Sequence, residues 1–336
     1  MAEVMIEVTA LGGEGVNGIS FNEVAIPQVG PGEVLVRLRA ATLNYRDVIG
    51  LHGKIPGLTK KPNYVPLSCA CGEVTAIGEG VSRVQLGDRV APTFDQYWLT
   101  GGLDKMSGQH LGGSVDGVAR QYAVFNQEGL VLVPDELSDL EVATLPCAGL
   151  TAWSALFSPR PIKPGETVLL QGTGGVSIAA LQFAKAAGAN VIITSSSDAK
   201  LRRAKLLGAD HTINYRVTPD WAEEVLSYTN DRGADLIVDV LGGTQLGMCV
   251  RAAAPGGVIS AVGMLDGNFS WGAEPGVPVA QISVGNREQF EEMLRGMVKN
   301  RIRPVVDRVY PLGQLKNAIV ALETGQFMGK IAIDLS

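Results

Sequence analysis

The residues that most directly suggest chemistry are Gly172-Thr173-Gly174-Gly175-Val176-Ser177, which follow the apolar run Val168–Gln171 and precede an Ala- and Leu-rich stretch reaching Ala187. Glycines at this spacing let a backbone turn tightly and approach a diphosphate, whose charge then sits against free amides and the positive end of a helix dipole. Such a site needs a strand before the turn and a helix after it, and the sequence supplies both. Gly172, Gly174, Gly175 and Val176 are therefore expected to hold a nucleotide's phosphates; the alternative is a turn with no ligand. Ser177 stands where the usual motif has its third glycine, a position that bears more on helix–strand packing than on phosphate approach.

A second apolar run, VIIT, ends at Thr194. An NAD-specific site would place Asp or Glu just beyond it, to bind the ribose 2′-hydroxyl. Here the place is taken by Ser195-Ser196-Ser197. A carboxylate would repel a 2′-phosphate, whereas hydroxyls donate to it and Lys200 can neutralise it. The expectation is NADP(H), held by Ser195, Ser196 and Lys200, with NAD(H) as second choice. Asp198 keeps that alternative open, being either a helix N-cap or a ribose partner.

The elements that must position these groups read as α/β. Up to about residue 125 the pattern is β-rich: Val34, Val36 and Leu38 alternate with Arg37 and Arg39, the period of a half-buried strand. Phe94–Ala119 lacks periodicity and is rich in glycine, so an irregular surface excursion, a candidate lid, is expected there. From Gly165 the unbroken runs VLLQ, VIIT, HTINY, ADLIVDVLG and VISAVG alternate with helical segments, which implies a parallel sheet covered on both faces. Gly188 and Gly208 fall where left-handed helix caps belong. The expected domains are 1–125, 126–268 as a doubly wound nucleotide-binding domain, and 269–336 returning to the first.

With 336 residues, two domains are the natural expectation, and 46% hydrophobic against 18% charged residues indicates a folded chain. A net charge of −6 argues against a nucleic-acid partner, which requires a basic face. No uncharged apolar run approaches the ~18 residues of a membrane span, so a cytoplasmic protein without a membrane partner is expected. The four cysteines are few for a disulfide framework. Cys69 and Cys71 have one residue between them where zinc pairs have about two to four, so packing is expected rather than metal binding.

LNYRD, GEVTAIGEGV, LGDRV, LPCAGLTAWSAL, VLLQGTGGVS, LGADHTINYR, VDVLGG and GKI occur in the order found in the medium-chain dehydrogenase/reductase superfamily, and the chain resembles its zinc-independent, quinone-oxidoreductase-like and alcohol-dehydrogenase-like branch. The resemblance implies a GroES-like catalytic domain with a Rossmann domain inserted into it, a small-molecule substrate in the cleft between them, and a homodimer for which the strand VISAVGML is a candidate edge. In zinc-bearing members the catalytic cysteine falls at Asn44 and a His-Glu pair at Ser68 and Cys69; Cys147 alone keeps a ligand-type residue. The four-cysteine structural lobe would lie between Arg89 and Val124, where there is no cysteine. No zinc is therefore expected.

By the same resemblance, Asn44 and Asp47 line the nicotinamide end. Tyr45 or Arg46 donates to a developing oxyanion, unless Arg46 simply pairs with Asp47 to hold the loop. Thr151 stands beside the nicotinamide ring, Tyr215 and Lys330 reach cofactor phosphates, and Gly242, Gly263 and Met264 lie at the carboxyl edge of the sheet. His52 is a conceivable proton donor or a solvated loop residue, ahead of His110 and His211. The activity implied is hydride transfer from NADPH to a quinone, enone or carbonyl. Alcohol oxidation, or nucleotide binding without turnover, are the alternatives.

Overall fold

The alternation at Val34, Val36 and Leu38 is realised as the strand Glu33–Thr42, with these three side chains fully buried and Arg37 turned to solvent. In the computed structural model, residues 3–54, 59, 61–102, 108–263 and 276–336 are described. The chain divides into two units, Met1–Ala148 with Gly285–Ser336, and Gly149–Val284.

In the first unit Glu33–Thr42 pairs antiparallel with Cys69–Ile77, Tyr122–Asn126 and Lys330–Asp334. The sheet runs Val306–Pro311, Lys330–Asp334, Glu33–Thr42, Cys69–Ile77, Arg89–Pro92, Leu130–Leu132. A smaller antiparallel sheet joins Ile19–Ala25, Val4–Leu11 and Asn63–Tyr64. One core gathers Leu38, Leu43, Leu51 and Leu67 with Ile319, Ile331 and Ile333, so the last segment of the chain completes the unit begun by the first.

The unit borders differ from those expected at 125/126 and 268/269. Tyr122–Asn126 and Leu130–Leu132 hydrogen-bond into the first unit's sheet, which carries the chain to Ala148 before it leaves. Val279–Gln281 pairs with Ala253–Ala261 and keeps the second unit going to Val284. The Phe94–Ala119 stretch is also more anchored than a surface excursion. Phe94, Leu111, Val118 and Ala119 are buried, and the Val118 and Ala119 amides donate to carbonyls of Pro66 and Leu67. A Cβ on Gly112 or Gly117 would stand 2.5 or 1.9 Å from the Leu67 carbonyl oxygen, so these glycines serve close backbone approach and not looseness. Residues 103–107 of the stretch lie outside the described residues.

The second unit is a parallel sheet ordered His211–Asn214, Asn190–Ser195, Thr167–Leu170, Ala234–Asp239, Ala253–Ala261, Val279–Gln281. This is the doubly wound order with its switch point beside the first strand. Ala234–Asp239 is buried along its whole length, as a strand covered on both faces must be. Gly188 and Gly208 end their helices at φ +81° and +105°. VISAV is interior rather than the expected edge: the short strand Val279–Gln281 pairs along it and takes that place. Among the described residues no helix is long and apolar enough to cross a membrane.

Candidate active site

The glycine turn leaves the strand Thr167–Leu170 and enters the helix Gly175–Ala186. Gly172 has φ +71°, a region costly for other residues, and its amide donates to Thr194 Oγ1 at 3.3 Å. The first amides of a helix have no partner inside it, and Gly174, as N-cap, offers no side chain to satisfy them. A Cβ on Gly172 or Gly174 would meet nothing within 4 Å, so the space beside these two residues is open. Gly175 and Val176 are half-buried in the helix's first turn. Ser177 explains the missing third glycine: its buried hydroxyl donates to the Gln171 carbonyl at 2.6 Å, tying helix to strand.

At the neighbouring strand end Ser195 is the last strand residue and is buried, its Oγ accepting from the Ser197 amide at 3.3 Å. Ser196 is half-buried. Ser197, not Asp198, caps the next helix, accepting from the Lys200 amide at 3.5 Å. Asp198 accepts from Asn214 Nδ2 at 2.6 Å. Tyr215 is 41% exposed and its amide donates to the Ser195 carbonyl at 3.1 Å, so serines and tyrosine share one rim. Asp239 Oδ1 accepts from the amides of Leu241 and Gly242 at 3.0 and 3.1 Å, shaping the next strand end. Gly263 passes so close that a Cβ would stand 1.8 Å from the Val240 carbonyl oxygen. Met264 lies outside the described residues. Thr151 is buried in the first turn of the helix Leu150–Phe157.

In the first unit, Asn44 precedes the helix Tyr45–Leu51, and its amide donates to Asp47 Oδ2 at 2.7 Å, closing the turn. Burial raises the Asp47 carboxyl above its ordinary value against the opposing charges of Arg46 and Lys330 and the Asn44 hydrogen bond. Arg46 donates to the Leu111 carbonyl at 2.7 Å and lies 4.8 Å from the centre of the Phe94 ring. Tyr45 is 38% exposed. Lys330 is buried, and its Nζ donates to the Leu43 carbonyl and, at 2.5 Å, to Asn44 Oδ1. Its ammonium is thus joined to Asn44, a contact not foreseen in assigning Lys330 to phosphates. The Asn44 amide nitrogen in turn donates to Ser68 Oγ at 3.2 Å and Cys69 Sγ at 3.1 Å.

Cys69 has surroundings that its spacing to Cys71, which suggests packing, does not reveal. Burial would raise its thiol, but a hydrogen bond from Cys147, the Lys330 charge and donors from Asn44 and Ser68 outweigh that and lower it to about 6. The available signal was its place among the positions that carry metal ligands in relatives. Those positions do not fit a zinc ion here. Asn44 Oδ1 already accepts from an ammonium, Asn44 Nδ2 aims hydrogens at the sulfur, and a dication would stand against the Lys330 charge. His52 Nε2 lies 2.6 Å from Glu323 Oε1, His110 stacks on Phe94, and His211 Nε2 lies 2.9 Å from Glu224 Oε1, so each histidine is explained locally.

Comparison with known proteins identifies the family of both units. Residues 30–135 match the alcohol dehydrogenase GroES-like domain and residues 175–309 the zinc-binding dehydrogenase domain. A zinc-type alcohol dehydrogenase-like protein of Schizosaccharomyces pombe is 41% identical over 337 residues, covering 96% of each chain. An alcohol dehydrogenase of Geobacillus stearothermophilus is 30% identical, covering 94% of this chain and 96% of its own. The solved quinone oxidoreductase of Pseudomonas syringae pv. Tomato DC3000 superposes with a TM-score of 0.84 at 26% identity, covering 98% of this chain and 99% of its own. The chain belongs to the medium-chain dehydrogenase/reductase superfamily, in its alcohol-dehydrogenase-like branch, and is an oxidoreductase of that type.

Proposed function

We propose that this protein transfers hydride from NADPH to a quinone, enone or carbonyl, without catalytic zinc and as a homodimer. The observation that carries this reading is the open, uncapped helix start behind Gly172 and Gly174, with serine rather than carboxylate at the next strand end. A nicotinamide dinucleotide bound there supplies the hydride. The amides at the start of Gly175–Ala186 hold the diphosphate, and Ser195, Ser196, Lys200 and Tyr215 receive the 2′-phosphate. In the first unit, the Asn44–Lys330 contact fixes the amide's orientation. Of Asn44 to Asp47, Tyr45 has the exposed side chain and is our candidate donor to the substrate oxygen.

Calorimetric titration with both reduced cofactors, followed by turnover over quinones, enones, aldehydes and alcohols, tests the reading. Saturable NADPH binding with oxidation by one of the first three classes is expected; no heat with either cofactor at millimolar concentration would sink it. Ser195→Asp should turn preference toward NADH, read as the ratio of kcat/KM for the two cofactors. The names of the relatives favour a second reading, alcohol oxidation with the same cofactor, which the panel run in both directions distinguishes.

A further inference from the structure

Cys69 and Cys147 are a thiol pair for which the proposed hydride transfer has no use. Cys69 opens the strand Cys69–Ile77 and is fully buried; Cys147 lies in the turn Leu145–Gly149, is partly exposed, and donates to the Cys69 sulfur. The same sulfur accepts from Asn44 Nδ2 at 3.1 Å and lies 3.7 Å from Ser68 Oγ, while Lys330 grips the other end of Asn44. One sulfur thus has a second thiol, an amide donor, a hydroxyl and a nearby ammonium around it. The other two cysteines differ. Cys71 faces Asp139 Oδ1 at 3.4 Å, and burial with that carboxylate pushes its thiol up; Cys249 is pushed up by burial and the Asp239 charge.

We propose that Cys69 and Cys147 form an oxidative modification site, a dithiol that hydrogen peroxide closes to a disulfide, with Cys69 as nucleophile and Cys147 as the resolving thiol. The two environments divide these roles. Asn44 Nδ2, Ser68 and the nearby Lys330 ammonium gather at the Cys69 sulfur and favour its thiolate, whereas Cys147 donates to that sulfur and keeps its proton. In the first step the Cys69 thiolate attacks one peroxide oxygen: an S–O bond forms, the O–O bond breaks, and hydroxide leaves to take a proton from solvent. Cys147 then attacks the Cys69 sulfur: the S–S bond forms, the S–O bond breaks, and the departing hydroxide leaves as water with the Cys147 proton. The two sulfurs together lose two electrons and peroxide becomes two waters. Closure also removes the anionic acceptor of Asn44 Nδ2, so the oxidised state reaches the residues grouped around Lys330.

The test is peroxide treatment of the reduced full-length protein, with intact mass and unreduced peptide mapping. A loss of two hydrogens, a linked Cys69–Cys147 peptide reversed by dithiothreitol, and Cys71 and Cys249 still alkylatable after denaturation are expected. Cys147→Ser should stop at a sulfenic acid that dimedone traps on Cys69. Cys69→Ser should slow peroxide consumption about tenfold and give no adduct at Cys147. Four reduced thiols after treatment, or first oxidation at Cys71 or Cys249, would overturn the proposal. Should either variant fail to fold, judged by its far-ultraviolet dichroism, the wild-type map decides alone: the linked peptide supports the site and its absence refutes it.

Discussion

Lys330 is buried with its ammonium against Asn44, and a charge in that position has consequences for every group it faces. Replacing it by Met leaves the Leu43 carbonyl and Asn44 Oδ1 without their donor, which should cost about 1–3 kcal/mol in urea denaturation. It also withdraws a cation from Cys69. That thiol is lowered from 9.0 to about 6 in the folded protein, so its contribution to stability is complete above pH 9 and is lost as pH falls through about 6. Between these limits the wild type should gain stability as pH rises, and Lys330→Met should gain less. Thiolate absorbance against pH gives the independent measure: the variant's midpoint should move up, and an unmoved midpoint would detach Lys330 from Cys69. None of this was legible in LSCACG, because thiol spacing along the chain says nothing about Cys147, which the fold brings to the same point. Asn44 and Asp47 were identified as site residues by resemblance to relatives, whose motif aligns them without revealing what their side chains touch.

At the scale of elements, the glycines of the second unit separate into two physical kinds. Gly174 has an ordinary φ of −77° and open space around its Cβ position, so Gly174→Ala should change stability by no more than about 0.5 kcal/mol. On the proposed function the added methyl stands in the way of the diphosphate, and nucleotide affinity should fall tenfold or more in a calorimetric titration. Wild-type affinity in this variant would return the turn to a purely structural role. Gly263→Ala does the reverse: a methyl 1.8 Å from the Val240 carbonyl oxygen forces the strand ends apart, and a loss of more than about 3 kcal/mol is expected in denaturation. The parallel strands were legible because unbroken apolar runs admit few other arrangements. The Phe94–Ala119 stretch is irregular as expected, but its anchoring is not legible, because a glycine in sequence marks either looseness or close contact and only the Leu67 carbonyl decides between them. The edge strand Val279–Gln281 is short and carries no periodic pattern to find.

For the whole molecule, the chain's path decides which part can stand alone. Leu315, Ile319, Ile331 and Ile333 share one core with Leu38 and Leu67, and Lys330–Asp334 pairs directly with Glu33–Thr42. A chain ending at Arg303 therefore loses a neighbour of its longest strand, a wall of its core and the partner of Asn44 together. The segment Gly149–Val284 has the opposite character: its parallel strands follow one another in sequence, and Leu169, Ile192, Ile237 and Ile259 pack into a core drawn from that segment alone. Expressed separately, this segment should unfold cooperatively on heating and retain saturable NADPH binding, whereas residues 1–303 should lack any transition assignable to the first unit. Far-ultraviolet dichroism and calorimetry on both products make the comparison. A segment 149–284 that shows helix and strand signals but no cooperative transition would mean that its core, though drawn from contiguous chain, falls short of offsetting the conformational entropy of ordering it.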